Sequence, residues 1–472
     1  MKPLPHTVRT LSSGGSVLVL NTGATITPEA QAMLAALHSR STGGVQAHLE
    51  TLAAKGPSRF METYYVGYGH KSIGDLGSAT VFVEGISMLA AKALQHWPLY
   101  NGQESSTRYI DFSRQPLINP AGTKEAQHIQ EVWRSFYQRS QEPTRAWVRE
   151  RFVRNPDEDE KLYEKAVAAR AFDILRAFLP AGTATNIAWH GTLRQFADAL
   201  LPLRHHPLVE VREIAEATLD ALTEAFPSSF SRKFYEATEA YYEKVMRGAH
   251  HYLAPAQWPE YPTIAHDGTD SNVLREHEAL LRERPPKSDL PYIIGLAGSV
   301  RIEGLLDFGS WRDLQRHRAL TQAPPLLTPH FGFHPWYLEE LPQDARDEAR
   351  DLIKKQEERL HALNLEPPTA QYYLPMGYRV PISLRGDLRA LVYLIELRST
   401  RFVHPTLRAF VLQTAALLQE RFAWCGLTLH LDAQPDRFDV ARGKQDIFVA
   451  AQGGQQRLSE AEERTNAKDS SA

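Results

Sequence analysis

The segment Leu179-Pro-Ala-Gly-Thr-Ala-Thr-Asn returns 195 residues later as Leu374-Pro-Met-Gly-Tyr-Arg-Val-Pro. Leu193-Arg194 and Leu388-Arg389 keep that offset. Leu203-Arg204 and Leu397-Arg398 follow one residue out of step, then His206-Pro207 and His404-Pro405, then Arg212 and Arg408. Upstream, "VEGIS" at Val83 resembles "IEGLL" at Ile302. Internal repetition constrains a fold before any local motif does, and matches in one order reinforce one another. Two units are expected, residues 1–245 and 246–452, the boundary falling between Tyr242 and Asp289, a span that holds the turn-rich stretch "APAQWPEYPTIAHDGTDSN". Residues 453–472 carry few large apolar groups and are expected to form a disordered tail.

Five stretches carry helical periodicity: "SMLAAKALQHW", "EKAVAARAFDILRAFL", "EVREIAEATLDALTEAF", "DARDEARDLIKKQEERLHAL" and "PTLRAFVLQTAALLQERF". The pieces "SVLVLN", "ATVFVEG" and "LTLHLDA" read as strands. Helices and strands do not alternate regularly, so an α+β fold is expected, with long helices packed on a small, mainly antiparallel sheet in each unit. A net charge of −3 over 472 residues argues against a general nucleic-acid binder. The single cysteine, Cys425, excludes an internal disulfide and a Cys-x-x-Cys zinc site. No metal site is expected. The first residues hold only a short apolar run, and no run approaches a membrane span, so a cytoplasmic protein is expected.

Three constellations carry chemical potential. In "YNGQESSTRYIDF", Asn-Gly marks a turn, and Gln103, Glu104, Ser105, Ser106 and Arg108 cluster after it. Hydroxyls, an amide and a guanidinium on one loop suit a phosphate; the alternative is a polar turn entering a Tyr-Ile-Asp-Phe strand. In "DLQRHRALTQ", Arg316, His317 and Arg318 adjoin between apolar flanks. A helix end explains one or two such cations, and an external anion would explain all three. In "SLRGDLRALVYLIELRSTRFVHPTLR", an apolar helix is expected to place Arg385 and Arg389 on one face and Arg398 on the other. Arg401 and Arg408 extend the excess of cations over Asp387 and Glu396. His70, in "YGHKSIGD", is either a ligand contact or a loop cap.

Taken together, "GHKS", "QES" with Arg108-Tyr109, "QRHR" and the Leu-Pro and Leu-Arg helices resemble the flavin-dependent thymidylate synthases, the ThyX family. The resemblance implies FAD as cofactor, with NADPH and methylenetetrahydrofolate as co-substrates, and transfer of a one-carbon unit to C5 of dUMP. It assigns FAD to Arg316, His317, Arg318, Arg389 and His70, and dUMP to Gln103, Glu104, Ser105, Ser106 and Arg108. It places Arg398 and Arg204 at the pyrimidine, as the catalytic arginines. The motifs are split. The first half has Gln95-His96-Trp97 in place of Arg-His-Arg, and the second has Leu326 where the family serine would fall. The family builds its sites between subunits of a homotetramer. The likeness therefore implies a homodimer forming a pseudo-tetramer, without nucleic acid or membrane partners. The alternatives are a divergent flavin- and nucleotide-binding paralogue with another transfer reaction, and a non-catalytic nucleotide-binding scaffold.

Overall fold

The computed structural model describes residues 6–20, 26–40, 44–67, 69–230, 235–248 and 251–434. The expected tail, 453–472, lies outside the described residues. The fold is α+β, two antiparallel sheets dressed with helices. β1 (His6–Thr10), β2 (Ser16–Leu20), β3 (Ser78–Ser87), β4 (Asn101–Glu104) and β5 (Ala184–Thr192) form one sheet in the order β1-β2-β3-β5-β4. β6 (Thr263–Asp267), β7 (Val300–Asp307), β8 (Thr321–Gln322) and β9 (Arg379–Gly386) form the other in the order β6-β7-β9-β8.

All five periodic stretches are helical, at Met88–Gln95, Glu160–Leu175, Val209–Ala225, Gln343–Ala362 and Pro405–Phe422. "SVLVL" and "ATVFVEG" are strands as read, within β2 and β3. "LTLHLDA" is not a strand. Its polar groups are engaged elsewhere: Arg408 donates to the carbonyls of Asp432 and Gln434, and the His430 amide donates to Glu396. "NGQE", read as a turn, is β4, and the Tyr-Ile-Asp-Phe segment after it is a turn, not a strand. Glycine makes β4 possible, because a Cβ at Gly102 would lie 1.9 Å from the carbonyl oxygen of Ala188 on β5. Arg385 lies in β9, before the Asp387 N-cap of the Leu388–Arg398 helix, so it does not share a helical face with Arg389. That helix is not buried all round: Tyr393 is 54% and Leu397 44% exposed.

The repeated Leu-Pro-x-Gly segments meet each other. The Ala181 amide donates to Leu374 O (2.8 Å) and the Met376 amide to Leu179 O (3.0 Å). The Gly182 amide donates to Tyr372 O (3.0 Å) and the Gly377 amide to Ala177 O (2.8 Å). Exchanging residue n with n + 195 converts each bond of a pair into the other. Such reciprocity is the signature of a two-fold contact. The "VEG" and "IEG" matches do not share this register. Val83 faces Ile187, whose counterpart Ile382 faces Gly304 and not Ile302; one residue of this difference is the extra one that β3 carries at a bulge between Val83 and Ile86.

The two helices that follow β3 and β7 start alike. Ser87 caps Met88–Gln95 by accepting from the Ala90 amide, and Asp307 caps Phe308–Leu314 by accepting from the Ser310 amide. Each cap joins a buried hydroxyl–carboxylate pair, with the partners exchanged. Ser87 Oγ donates to Glu210 (2.5 Å), and Thr406 Oγ1 donates to Asp307 (2.6 Å). A tyrosine completes each carboxylate, Tyr372 on Glu210 and Tyr337 on Asp307. Glu210 is raised above the usual carboxylate range by burial. Replacing one hydroxyl strands a buried carboxylate oxygen. Thr406→Val should cost ~1–3 kcal/mol of unfolding free energy, read as a lower urea midpoint at unchanged slope. A midpoint equal to the parent's would show that Asp307 does not depend on this bond.

Candidate functional site

The "QRHR" stretch lies just past the C-terminus of the 308–314 helix, and this helix meets the 88–95 helix. Lys92 Nζ lies 3.4 Å from the Arg312 carbonyl oxygen, and Gln315 Nε2 donates to Lys92 O (2.9 Å). The two cations Lys92 and Arg312 are both buried. Glu104, at the end of β4, answers both: one oxygen lies 2.6 Å from Lys92 Nζ, and the other pairs with Arg312. Gln95 donates to it as well (3.0 Å). Burial would raise this carboxyl, but Arg312 and Lys92 outweigh it and hold it down to about 2. Burial lowers Lys92 to about 8, against the pull of Glu104. Both ions are therefore charged at pH 7.

Beside this triad, Arg108 makes a two-pronged ion pair with Asp173 (2.7 and 3.1 Å), whose side chain is fully buried. Arg176 donates to Ser310 (3.1 Å) and lies 3.8 Å from Asp313. Asp313 is held at about 2: burial opposes ionisation, and Arg176, Arg316, Arg108 and Arg398 together overcome it. The nearby carboxylate thus sits in the "DLQRHR" stretch itself. It still does not balance the site. Five cations (Lys92, Arg108, Arg176, Arg312 and Arg316) and two carboxylates (Glu104 and Asp313) line one small cavity with Ser105, Ser106 and Thr107. Counting Arg398 and Asp173 behind them leaves the same surplus of three positive charges. The cavity holds about 30 Å³. Arg316 forms its outer wall, being exposed, with a side chain that makes no hydrogen bond or ion pair among the described residues.

The expected site residues divide into groups. Ser105, Ser106, Glu104, Arg108 and Arg316 come together at this cavity. Gln103 is exposed on β4. Arg398 Nε donates to His317 Nε2 (2.9 Å), and its Nη2 donates to Asp313 O (3.2 Å). That bond needs a lone pair on Nε2, so the His317 proton sits on Nδ1. Arg318 is exposed and donates to Asn101 (3.2 Å). Arg389 donates to Leu290 O and lies 5.6 Å over the Tyr292 ring. Arg204 is elsewhere, paired with Glu239 (2.7 Å) in a separate cavity also lined by Gly69 and Lys71. His70 is the N-cap residue of the short Lys71–Gly74 helix. Glu396 neutralises Arg284, not the arginines of its own helix.

Lys92, Asp173, Arg176 and Arg312 escaped the sequence reading. Lys92 in "SMLAAKALQ", and Asp173 and Arg176 in "AFDILRAFL", are isolated charges inside apolar runs, a pattern that marks charge carried into a core; Arg312, beside Asp313, gave no such signal.

Burial, and then the adjacent Arg398, push His317 down to about 3 from 6.5. The folded state refuses a proton that the unfolded chain accepts. This contribution is complete above pH 6.5 and is lost as pH falls toward 3. Asp313 has the same sign in a lower window, between 3.8 and about 2. The melting temperature should therefore fall as pH drops below 6.5. His317→Gln, which keeps an acceptor for Arg398, should flatten the slope between pH 6.5 and about 4. An unchanged slope would exclude His317 as the titrating group.

Residues 23–228 match the family model Thy1, thymidylate synthase complementing protein. A UPF0159 protein of Chlamydia muridarum is 26% identical over 413 residues, covering 74% of this chain and 76% of that protein. A UPF0159 protein of Thermoplasma acidophilum is 25% identical over 425 residues, covering 74% and 83%. Among solved structures, thymidylate synthase X (ThyX) from Helicobacter pylori, crystallised with FAD and dUMP, matches 43% of this chain and 93% of its own. That match has 17% identity and a TM-score of 0.26. Residues 23–228 are thus similar to the Thy1 family, thymidylate synthase complementing protein.

Proposed function

We propose that the charged cavity holds the phosphate of a pyrimidine nucleoside monophosphate, in the simplest case dUMP, and that the chain is a thymidylate synthase-like enzyme. The observation that carries this reading is the surplus of three cations around a cavity edged with hydroxyls. Buried cations without a counter-charge are costly, and a phosphate dianion supplies one. Arg316 turns outward to admit it, while Arg108 and the Ser105 and Ser106 hydroxyls donate to its oxygens. Both Glu104 oxygens are engaged, so Glu104 fixes Lys92 and Arg312 and does not touch the ligand. Arg398, held at the cavity's edge by His317, would face the pyrimidine carbonyls. There it would stabilise the negative charge that develops as C5 becomes nucleophilic. Arg204, tied to Glu239, takes no part.

In this reaction class FAD would supply the redox and one-carbon transfer chemistry, with NADPH and methylenetetrahydrofolate as co-substrates. The residues expected to hold FAD do not fit it within one chain. Arg316 lines the charged cavity, Arg318 lines a different one, Arg389 stacks on Tyr292, and His70 caps a distant helix. A flavin site in this reading is completed by a second copy of the chain, as a homodimer of two-unit chains divided at 245/246. The reciprocal bonds around Pro180 and Pro375 support the two-unit division. The scattering of the flavin residues favours a second reading, a family member that binds the nucleotide without flavin.

Two measurements separate these readings. Millimolar dUMP should raise the melting temperature through ligand linkage, and Arg316→Ala should weaken its binding by about tenfold. No shift with dUMP would remove both readings. An absorbance spectrum of the purified protein then decides between them. Flavin bands, with FAD on release, belong to the synthase; a colourless protein that takes up no added FAD but binds dUMP belongs to the second.

A further inference from the structure

The charged cavity has a counterpart. The register is fixed by three matched contacts. The N-caps are Ser87 and Asp307. The turns after the two helices close by Tyr100 N–H to Trp97 O and by Leu320 N–H to His317 O. The ladder pairs are Asn101 with His190 and Thr321 with Arg385. In this register Asp313, Arg316 and Arg176 correspond to Ala93, His96 and Gln371, and Glu104-Ser105 correspond to Pro324-Pro325. All five counterparts line one cavity of about 580 Å³.

Every replacement removes charge or a donor. Ala93 and Pro324 erase the two carboxylates, and His96 and Gln371 stand where two arginines stood. Proline at 325 removes even the backbone N–H that Ser105 donates to Asn186 O. Among the described residues, no carboxylate lines the large cavity. Of its two cations, Lys92 is tied to Glu104 and Arg318 is exposed at its edge. Burial holds His251 down to about 4, and His206 well below its ordinary value, so these imidazoles are uncharged and do not replace the arginines. An anion has no buried counter-charge here, and neither does a cation.

The lining is still not inert. Trp97 Nε1, His251 Nε2, Gln315 Oε1 and Gln322 Oε1 are buried without a hydrogen-bond partner. Gln315 and Gln322 spend their amide nitrogens on the backbone carbonyls of Lys92 and Leu314, so the free atoms are acceptors. The indole N–H is a donor only. Buried polar atoms of both kinds cost free energy until paired. Trp97, Trp311 and Tyr252 add aromatic walls. The geometry points to a second binding site, for a neutral planar nitrogen heteroaromatic ring that donates to the two glutamine oxygens and accepts from the indole. It stands at the repeat counterpart of the charged cavity. The inference rests on the repeat register and not on what the charged cavity binds.

The test uses the full chain and 2-aminopurine, a neutral fluorescent purine. Its anisotropy should rise saturably at one site per chain. Ala93→Phe, which fills the cavity, should weaken binding by at least about tenfold, and His251→Phe should weaken it severalfold. Inorganic phosphate should not compete. The proposal is overturned if 2-aminopurine does not bind, if phosphate or dUMP displaces it, or if His251→Phe and Ala93→Phe bind it like the parent. Should Ala93→Phe fail to fold, His251→Phe alone decides. The dUMP-induced melting shift of the same samples reports on the charged cavity. Failure there with 2-aminopurine bound, or the reverse, tells the two readings apart.

Discussion

Lys92 and Arg312 hold corresponding places on two helices that pack together in the interior, and two cations so placed require a shared anion. Glu104 is that anion, and it arrives from one side only. A symmetrical contact answered by a single carboxylate cannot remain symmetrical in its surroundings. On the side that supplies Glu104, the loop keeps its serines and gathers Arg108, Arg176 and Arg316 around a polar hollow. On the other, the requirement is already met, and the corresponding loop is Pro324-Pro325 beside an apolar cavity. One buried ion triad accounts for two unlike cavities within one repeated framework.

The scaffold and the site draw on different kinds of interaction. The backbone bonds around Pro180 and Pro375 are indifferent to side chains, so they keep their reciprocity while the surrounding residues diverge. Charge–charge contacts have no such tolerance. An arginine whose carboxylate is lost becomes a liability, and Ala93, His96 and Gln371 show the whole set removed together on one side.

Much of this was legible beforehand. Periodicity marked the five helices, because each must lay an apolar stripe on a core. The Leu-Pro-x-Gly repeat fell on the contact it organises, and the loop 104–108 and Arg316 fell on one cavity. The failures have physical causes. β4 was hidden because its strand character depends on how closely Gly102 approaches Ala188, a long-range fact absent from local propensity. "LTLHLDA" alternates as a strand does, yet side chains of Arg408 and Glu396 claim its backbone. Arg389 and Arg204 bear the right charges in the right order, but Tyr292 and Glu239 are their neighbours. Spacing shows which side chains share an element; it does not show which partners they meet.

The exchanged carboxylates have a bearing on descent. Glu210 answers Ser87 in one place, and Asp307 answers Thr406 in the other. A recombinant carrying the first cap with the second helix would set Ser87 against Thr406, two hydroxyls with no acid between them. The opposite recombinant would set Asp307 against Glu210, two buried acids with no hydroxyl. A copied tract that ended between cap and helix would thus yield a defective core in either direction. The swap thus acts as a barrier to partial gene conversion: cap and helix must be exchanged together or not at all.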